Sequence, residues 1–364
     1  MKRIEQFRPA LIATLCAAVF STAAVADVQI TGSVNSSLVH QSLDSSDDTP
    51  GRYEDRDTLQ ISPTVVASYL SKKLNANVSA THLYQRFELD AGSRSDSFTE
   101  FNYNGTLKIV CDLVDYLENK YKNKCSIGIG TPGSLSKETN LIKGANSIWL
   151  NEKPLKKDIE EKLNRKIYFE NDANCFALSE AFDGAGNKHN IVFGVIIGTG
   201  VGGSLVINKK IINGFNNISG EWGHNQMTTL PNDRWKNHNC YCGKIGCIET
   251  FLSGPGFSKH FFELYNENID AKNIQLKANN GDENCLEFVY EYIDYLARGL
   301  SQIINIVDPD VIVLGGGVSN MKQIYENIQL QLKKYVFSDV VNTEILKNIY
   351  GDSSGVRGAA SLGR

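Results

Sequence analysis

An excess of basic residues is missing from this 364-residue chain: 37 Lys and Arg stand against 41 Asp and Glu, for a formal net charge of -4. Nucleic acid and anionic membrane surfaces are therefore poor partners, and small, roughly neutral substrates are expected. Cysteine is sparse, with 8 residues, which excludes a disulfide scaffold. No segment is apolar enough to cross a bilayer as a helix, and no Pro- or Ser-rich linker marks a natural domain join. With 41% hydrophobic and 21% charged residues, the chain is apolar enough to pack two or three domains, so a disordered or fibrous state is excluded.

Three segments differ in texture. Residues 1–26 read as a secretory signal peptide: a basic start up to Arg8, an apolar run from Ala10 to Phe20, and a small-x-small end at Ala24-Val-Ala26. Residues 27–106 alternate with period two, as exposed strands do. Their start, Asp27-Val-Gln-Ile-Thr-Gly32, resembles the first strand of Gram-negative outer-membrane barrels. The strands are too few to close a barrel, which takes at least about eight, and a small soluble β-module is the alternative. Residues 107–364 have the helix and apolar-strand alternation of an α/β enzyme, with a helix around Ile109 to Lys120 and strands at Cys125 to Gly130 and Ile167 to Phe169. The abrupt change near residue 106 reads as a fusion of unrelated pieces.

Four constellations in the third segment carry chemistry. Val192-Phe-Gly-Val-Ile-Ile197 runs into Gly198-Thr-Gly-Val-Gly-Gly203 and on into a second strand. Strand, glycine loop, strand is not the dinucleotide fingerprint, which needs a helix after the glycines. Bare N–H groups at Gly198, Gly200 and Gly202, with the Thr199 hydroxyl, suit phosphate oxygens. A second glycine turn, Gly315-Gly-Gly317, follows the strand Val311-Ile-Val-Leu314 and opens a helix, so a nucleotide can lie against its backbone. Glu170-Asn-Asp-Ala-Asn174 puts Asp172 where a strand meets a helix, either as an N-cap or as a general base. Finally, Gly220-Glu-Trp-Gly-His224 and Cys240-Tyr-Cys-Gly-Lys-Ile-Gly-Cys247 supply one imidazole and three thiols. His224, Cys240, Cys242 and Cys247 form a closed tetrahedral set for structural Zn2+, with His238 a rival fourth ligand. Glu221 and Glu249 flank the ligands and suit sugar hydroxyls.

Taken in order and spacing, these motifs make residues from about Lys108 to Leu362 resemble the ROK family of sugar kinases. Gly130-Thr-Pro-Gly-Ser134, Ala145-Asn-Ser-Ile-Trp-Leu-Asn151 and Gly351-Asp-Ser-Ser-Gly-Val-Arg-Gly-Ala-Ala360 are most similar to members that phosphorylate fructose and mannose; N-acetylglucosamine kinases come next. The resemblance implies an α/β, ribonuclease-H-like two-lobe fold of the actin and hexokinase type. It implies ATP, Mg2+ and Zn2+ as cofactors, fructose as the expected substrate, fructose 6-phosphate as product, and a homodimer of the kind members often form. It also implies Asp172 as the base, with Gly133, Asn146, Asn171, Glu221, His224 and Glu249 holding the sugar, and the two glycine turns holding ATP.

One family element is absent from the sequence. Members open with Asp-x-Gly-Gly-Thr, a turn for ATP phosphates, and residues 1–107 contain no such motif. The first hairpin of the N-terminal lobe is expected to be missing and activity to be impaired. Reduced thiols and ATP place the kinase segment in the cytoplasm, whereas the signal peptide would export it. Membrane contact follows only if the N-terminal segment is genuine.

Overall fold

The structure, a computed structural model, describes residues 27–33, 64–71, 74–79, 102–145, 147–227 and 238–363. The expected signal peptide at 1–26 and the sugar contact Asn146 lie outside the described residues. The chain divides into two compact units, one of residues up to Asp172 together with Ala359 onward, the other Ala173–Gly358.

The first unit begins with an antiparallel sheet of β1 (Asp27–Ser33), β2 (Thr64–Ser71) and β3 (Leu74–Ser79), in that order. Helix α1 (Tyr103–Tyr121) follows; its Asn102 cap accepts from the Gly105 N–H at 2.9 Å, and the chain leaves it at Lys122 in the left-handed region, φ 51°. This helix starts earlier than the apolar spacing from Ile109 suggests, because the Asn102 side chain satisfies an N-terminal N–H that no i−4 carbonyl can reach. It therefore runs unbroken through residue 106. Leu107, Val110, Leu113, Val114 and Leu117 recur at helical spacing and are buried. They pack into one core with Ile127, with Ile129 of β4 (Gly128–Thr131), and with Leu155 and Ile159 from further along the chain. After the short hairpin β5 (Ser134–Leu135) and β6 (Ile142–Lys143), helix α2 (Leu155–Leu163) leads to β7 (Tyr168–Asn171), parallel to β4.

The second unit takes up α3 (Asp172–Phe182) after its first residue and carries a mixed five-stranded sheet. Strands β8 (Ile191–Ile197), β9 (Val201–Ile207) and β10 (Lys210–Ile211) run antiparallel. Helices α4 (Glu249–Leu252), α5 (Gly254–Tyr265), α6 (Ala271–Asn279) and α7 (Glu283–Val307) come next. Then β11 (Val311–Gly315) pairs parallel with β8, α8 (Lys322–Leu332) crosses over, β12 (Glu344–Lys347) pairs parallel with β11, and α9 (Ser354–Ser361) follows. The sheet order is β10-β9-β8-β11-β12. Alternation decides its two faces: Phe193, Val195, Ile312 and Leu314 join Phe257, Phe261 and Leu296 in one core, while Val192, Val311 and Val313 pack with Phe176 and Ala177 of α3 in another.

Three antiparallel strands, then helix, strand, helix and parallel strand, is the element order of the first unit as well. This is the expected actin and hexokinase type of α/β architecture. Strands β1 to β3 precede α1 in the element order. The phosphate-turn sequence itself remains absent.

Candidate active site and cysteine ribbon

Asn171 closes β7 and Asp172 opens α3, at the C-terminal end of the parallel pair β4–β7. Ligands of open α/β sheets bind at such ends. The Asn171 amide donates to the Gly133 carbonyl at 2.9 Å, bringing two of the expected sugar contacts together. Asp172 is half-buried and lies within the first helical turn rather than ahead of it.

In the second unit both glycine turns leave neighbouring strands at one end of the sheet, since Ile196 of β8 pairs with Gly315 of β11. The Gly198 N–H donates to the Gly200 carbonyl at 3.0 Å, which tightens the hairpin and leaves the Thr199 side chain exposed. Gly202 offers its carbonyl to the Trp222 indole N–H at 3.0 Å. Gly316 has φ +85°, and a Cβ there would sit 2.4 Å from the Ile197 carbonyl oxygen. Only glycine allows that close approach of the two turns. Gly317 opens a short 3-10 turn to Asn320 before α8, so the helix begins later than the glycines suggest.

Gly220 sets up the ribbon. Its φ is +95°, and a Cβ would lie 2.2 Å from the Gly203 carbonyl oxygen, so the backbone presses against β9 and turns Glu221 outward, where it is exposed. Cys240 and Lys244 close a tight loop through Cys240 N–H to Lys244 carbonyl, 2.9 Å. The ligand atoms of His224, Cys240, Cys242 and Cys247 all lie within 4.8 Å of one another. Cys242 Sγ to Cys247 Sγ is 3.6 Å, and Cys240 Sγ to His224 Nδ1 is 3.6 Å. Zinc bonds of about 2.3 Å to sulfur and about 2.0–2.1 Å to nitrogen place tetrahedral neighbours about 3.5–3.8 Å apart, so the donor set fits zinc. Burial pushes the thiol of Cys240 up and that of Cys247 up to about 12, so a cation is what would hold them as thiolates.

His238 is not the fourth ligand. Its ring stacks on Phe251 at 4.1 Å and its Nδ1 faces the Thr250 carbonyl at 3.3 Å, turned away from the cysteines by that packing. Glu249, expected to hold the sugar, also has partners within the protein: Oε2 accepts from the Val201 N–H at 3.0 Å, and Oε1 faces Cys240 Sγ at 3.8 Å. Two contributors escaped the sequence reading. Tyr241 sets its hydroxyl 3.1 Å from His224 Nε2, with the rings edge-on at 5.3 Å; its only signal was its place between two ligand cysteines. Asn213 holds Asn174 through an amide contact of 3.1 Å, and nothing in the sequence marked it.

Comparison with known proteins identifies the setting of these groups. The ROK family profile matches residues 86–364, extending upstream of Lys108. N-acetyl-D-glucosamine kinases of Mannheimia succiniciproducens and Salmonella typhimurium are each 39% identical, over 266 and 265 residues, covering 72% of this chain and 88% of theirs. These relatives are named for N-acetyl-D-glucosamine, not for the fructose expected from the motifs. The fold matches the ROK hexokinase from Thermus thermophilus with TM-score 0.66 at 23% identity, covering 82% of this chain and 94% of that one. It also matches a ROK family glucokinase from Streptomyces griseus, solved with glucose and AMPPNP, with TM-score 0.65 at 22% identity and coverage of 93% and 99%.

Proposed function

The chain belongs to the ROK family, and from that premise we propose that it transfers the γ-phosphoryl group of MgATP to a hexose, with N-acetyl-D-glucosamine as the preferred acceptor. The observation that carries the sugar is the 39% identity to N-acetyl-D-glucosamine kinases over 88% of their length. In this reading Asp172 accepts the proton of the sugar C6 hydroxyl as its oxygen attacks the γ-phosphorus and ADP leaves. Positioning and charge neutralisation supply the rest of the acceleration.

Asn171, fastened to Gly133, and Glu221, His224 and Glu249 hold the sugar hydroxyls as donors and acceptors. The hairpin Gly198, Thr199, Gly200 and Gly202 and the turn Gly315–Gly317 hold the nucleotide, which brings Mg2+ with it. Zinc on His224, Cys240, Cys242 and Cys247 would supply a structural cross-link, since four protein ligands complete its tetrahedron. His224 then uses Nδ1 for the metal and keeps Nε2, beside Tyr241, for the sugar.

A second reading has one observation behind it. The missing Asp-x-Gly-Gly-Thr motif favours a sugar-binding module without turnover. Coupled assay of ADP release by the purified full chain, with N-acetylglucosamine, glucose, mannose and fructose, separates the two. The expected result is turnover with kcat/KM for N-acetylglucosamine at least about tenfold above the others, a ratio within reach of a few polar contacts. Preference for fructose overturns the acceptor, and calorimetric sugar binding without ADP release replaces the kinase by the binding module.

A further inference from the structure

Outside the cysteine ribbon, three side chains converge on one point. His238 enters the ribbon two residues ahead of Cys240, while His260 and Glu263 lie one turn apart on α5. His238 Nε2 is 3.5 Å and His260 Nδ1 is 3.8 Å from the same oxygen, Glu263 Oε2. One ligand atom from each residue lies within 4.8 Å of the others. The imidazoles are 2% and 4% exposed, and Glu263 opens to solvent at 39%.

These contacts are too long to be hydrogen bonds, which run about 2.7–3.2 Å between heavy atoms. The groups surround a point instead of bonding one another. His260 is the sharper anomaly: neither of its buried ring nitrogens has a hydrogen-bond partner, in a pocket made by Phe251, Phe288 and Tyr295. An orphaned buried polar atom costs about 1–3 kcal/mol, and two on one ring call for a reason.

We propose that His238 Nε2, His260 Nδ1 and the Glu263 carboxylate form a second metal site, for a divalent first-row transition ion. Two imidazoles and a carboxylate are the donor set such ions favour, and three protein ligands leave a position for water on the open side of Glu263. The His238 ring is already oriented for it. The Thr250 carbonyl beside His238 Nδ1 takes that proton and frees the Nε2 lone pair. Glu291 Oε1, which accepts from the Tyr295 hydroxyl, lies 3.7 Å from His260 Nε2, beside the second ring but not bonded to it. A carboxylate or carbonyl behind each ligating imidazole is the usual outer support of a metal. Lys259 Nζ, 3.7 Å from Glu263 Oε1, is the competitor that holds the carboxylate in the ion's absence. The bound ion would fasten the entrance of the ribbon to α5.

Cobalt titration of the metal-stripped full chain, read by visible absorption and by metal content after dialysis, tests this without any reference to kinase activity. The expected result is two ions per chain: one with thiolate-to-cobalt charge transfer from the cysteine set, one adding only weak ligand-field bands. Glu263→Gln and His260→Phe remove the second ion and leave the charge-transfer bands, and Glu291→Gln weakens the second ion about 10–100-fold. Glu263→Gln alters a half-open side chain and so leaves the aromatic pocket intact if His260→Phe disturbs it. A single ion per chain in the unaltered protein overturns the proposal, as does a second ion whose affinity is the same in Glu263→Gln.

Discussion

Glu249 Oε2 accepts the Val201 N–H at 3.0 Å, tying the first turn after the cysteine ribbon to the loop end of the glycine hairpin. The carboxylate fills the space beside Gly200, where a Cβ would meet Glu249 Oε2 at 2.6 Å. A residue expected to serve the sugar is thus also a strut between the cysteine ribbon and the proposed phosphate loop. Glu249→Ala leaves the Val201 N–H without its acceptor, at a cost of about 1–3 kcal/mol. KM is expected to rise for both the sugar and ATP, with Glu249→Gln restoring the ATP value and not the sugar value. Steady-state kinetics on the two variants checks this; an ATP KM unmoved by Glu249→Ala would refute the strut.

Replacing Asp172 by Asn preserves shape and removes the base. The expected loss is about 10²–10⁴ in kcat with sugar binding retained. Calorimetric titration with N-acetylglucosamine, run beside the coupled assay, distinguishes this from a folding defect.

Exposure within the ribbon sets an order of chemical modification. Cys242 is exposed, while Cys240 and Cys247 are buried. In chelator-stripped protein iodoacetamide is expected to label Cys242 first, and one equivalent of zinc to protect all three cysteines together. Peptide mapping by mass spectrometry reads both results. Cys247→Ser should lose the zinc and raise the sugar KM well above any effect on ATP, because the ribbon presents Glu221 and His224.

The C-terminal segment hangs on one buried carboxylate. Glu180, with no exposed surface, accepts from the Ala185 N–H at 2.9 Å, the Ile349 N–H at 3.3 Å and the Ser354 hydroxyl at 2.6 Å. Glu180→Ala strands the Ala185 and Ile349 N–H groups, leaving the Ser354 hydroxyl only the Gly351 carbonyl at 3.1 Å, and is expected to destabilise the fold by about 2–5 kcal/mol, with a smaller loss for Glu180→Gln. Urea denaturation of the two variants measures the difference.

The ribbon and the glycine turns were legible because their chemistry is local. The Cys240, Cys242 and Cys247 spacing is a short loop, and the hairpin Gly198–Gly203 lies between two apolar runs that can only pair as neighbours. Asp172 was legible in position and not in role, since an Asp at a strand-to-helix junction reads equally as cap and as base. His238 stood only as a rival to His224, since a ligand so close to Cys240 in sequence needs a tight local loop, and stacking on Phe251 turns its ring elsewhere.

The sequence by itself determined the main strands and helices and the local cysteine loop, and through its motif order the family, because period, capping and short spacing act within a few residues. Tertiary structure alone decided that Glu249 spans to Val201, that Glu180 holds Ser354 from 174 residues away, and that His238 meets His260 and Glu263. Those pairings depend on how helices α4, α5 and α9 pack against the sheet. Packing is a cooperative property of the whole buried core, which no local pattern encodes.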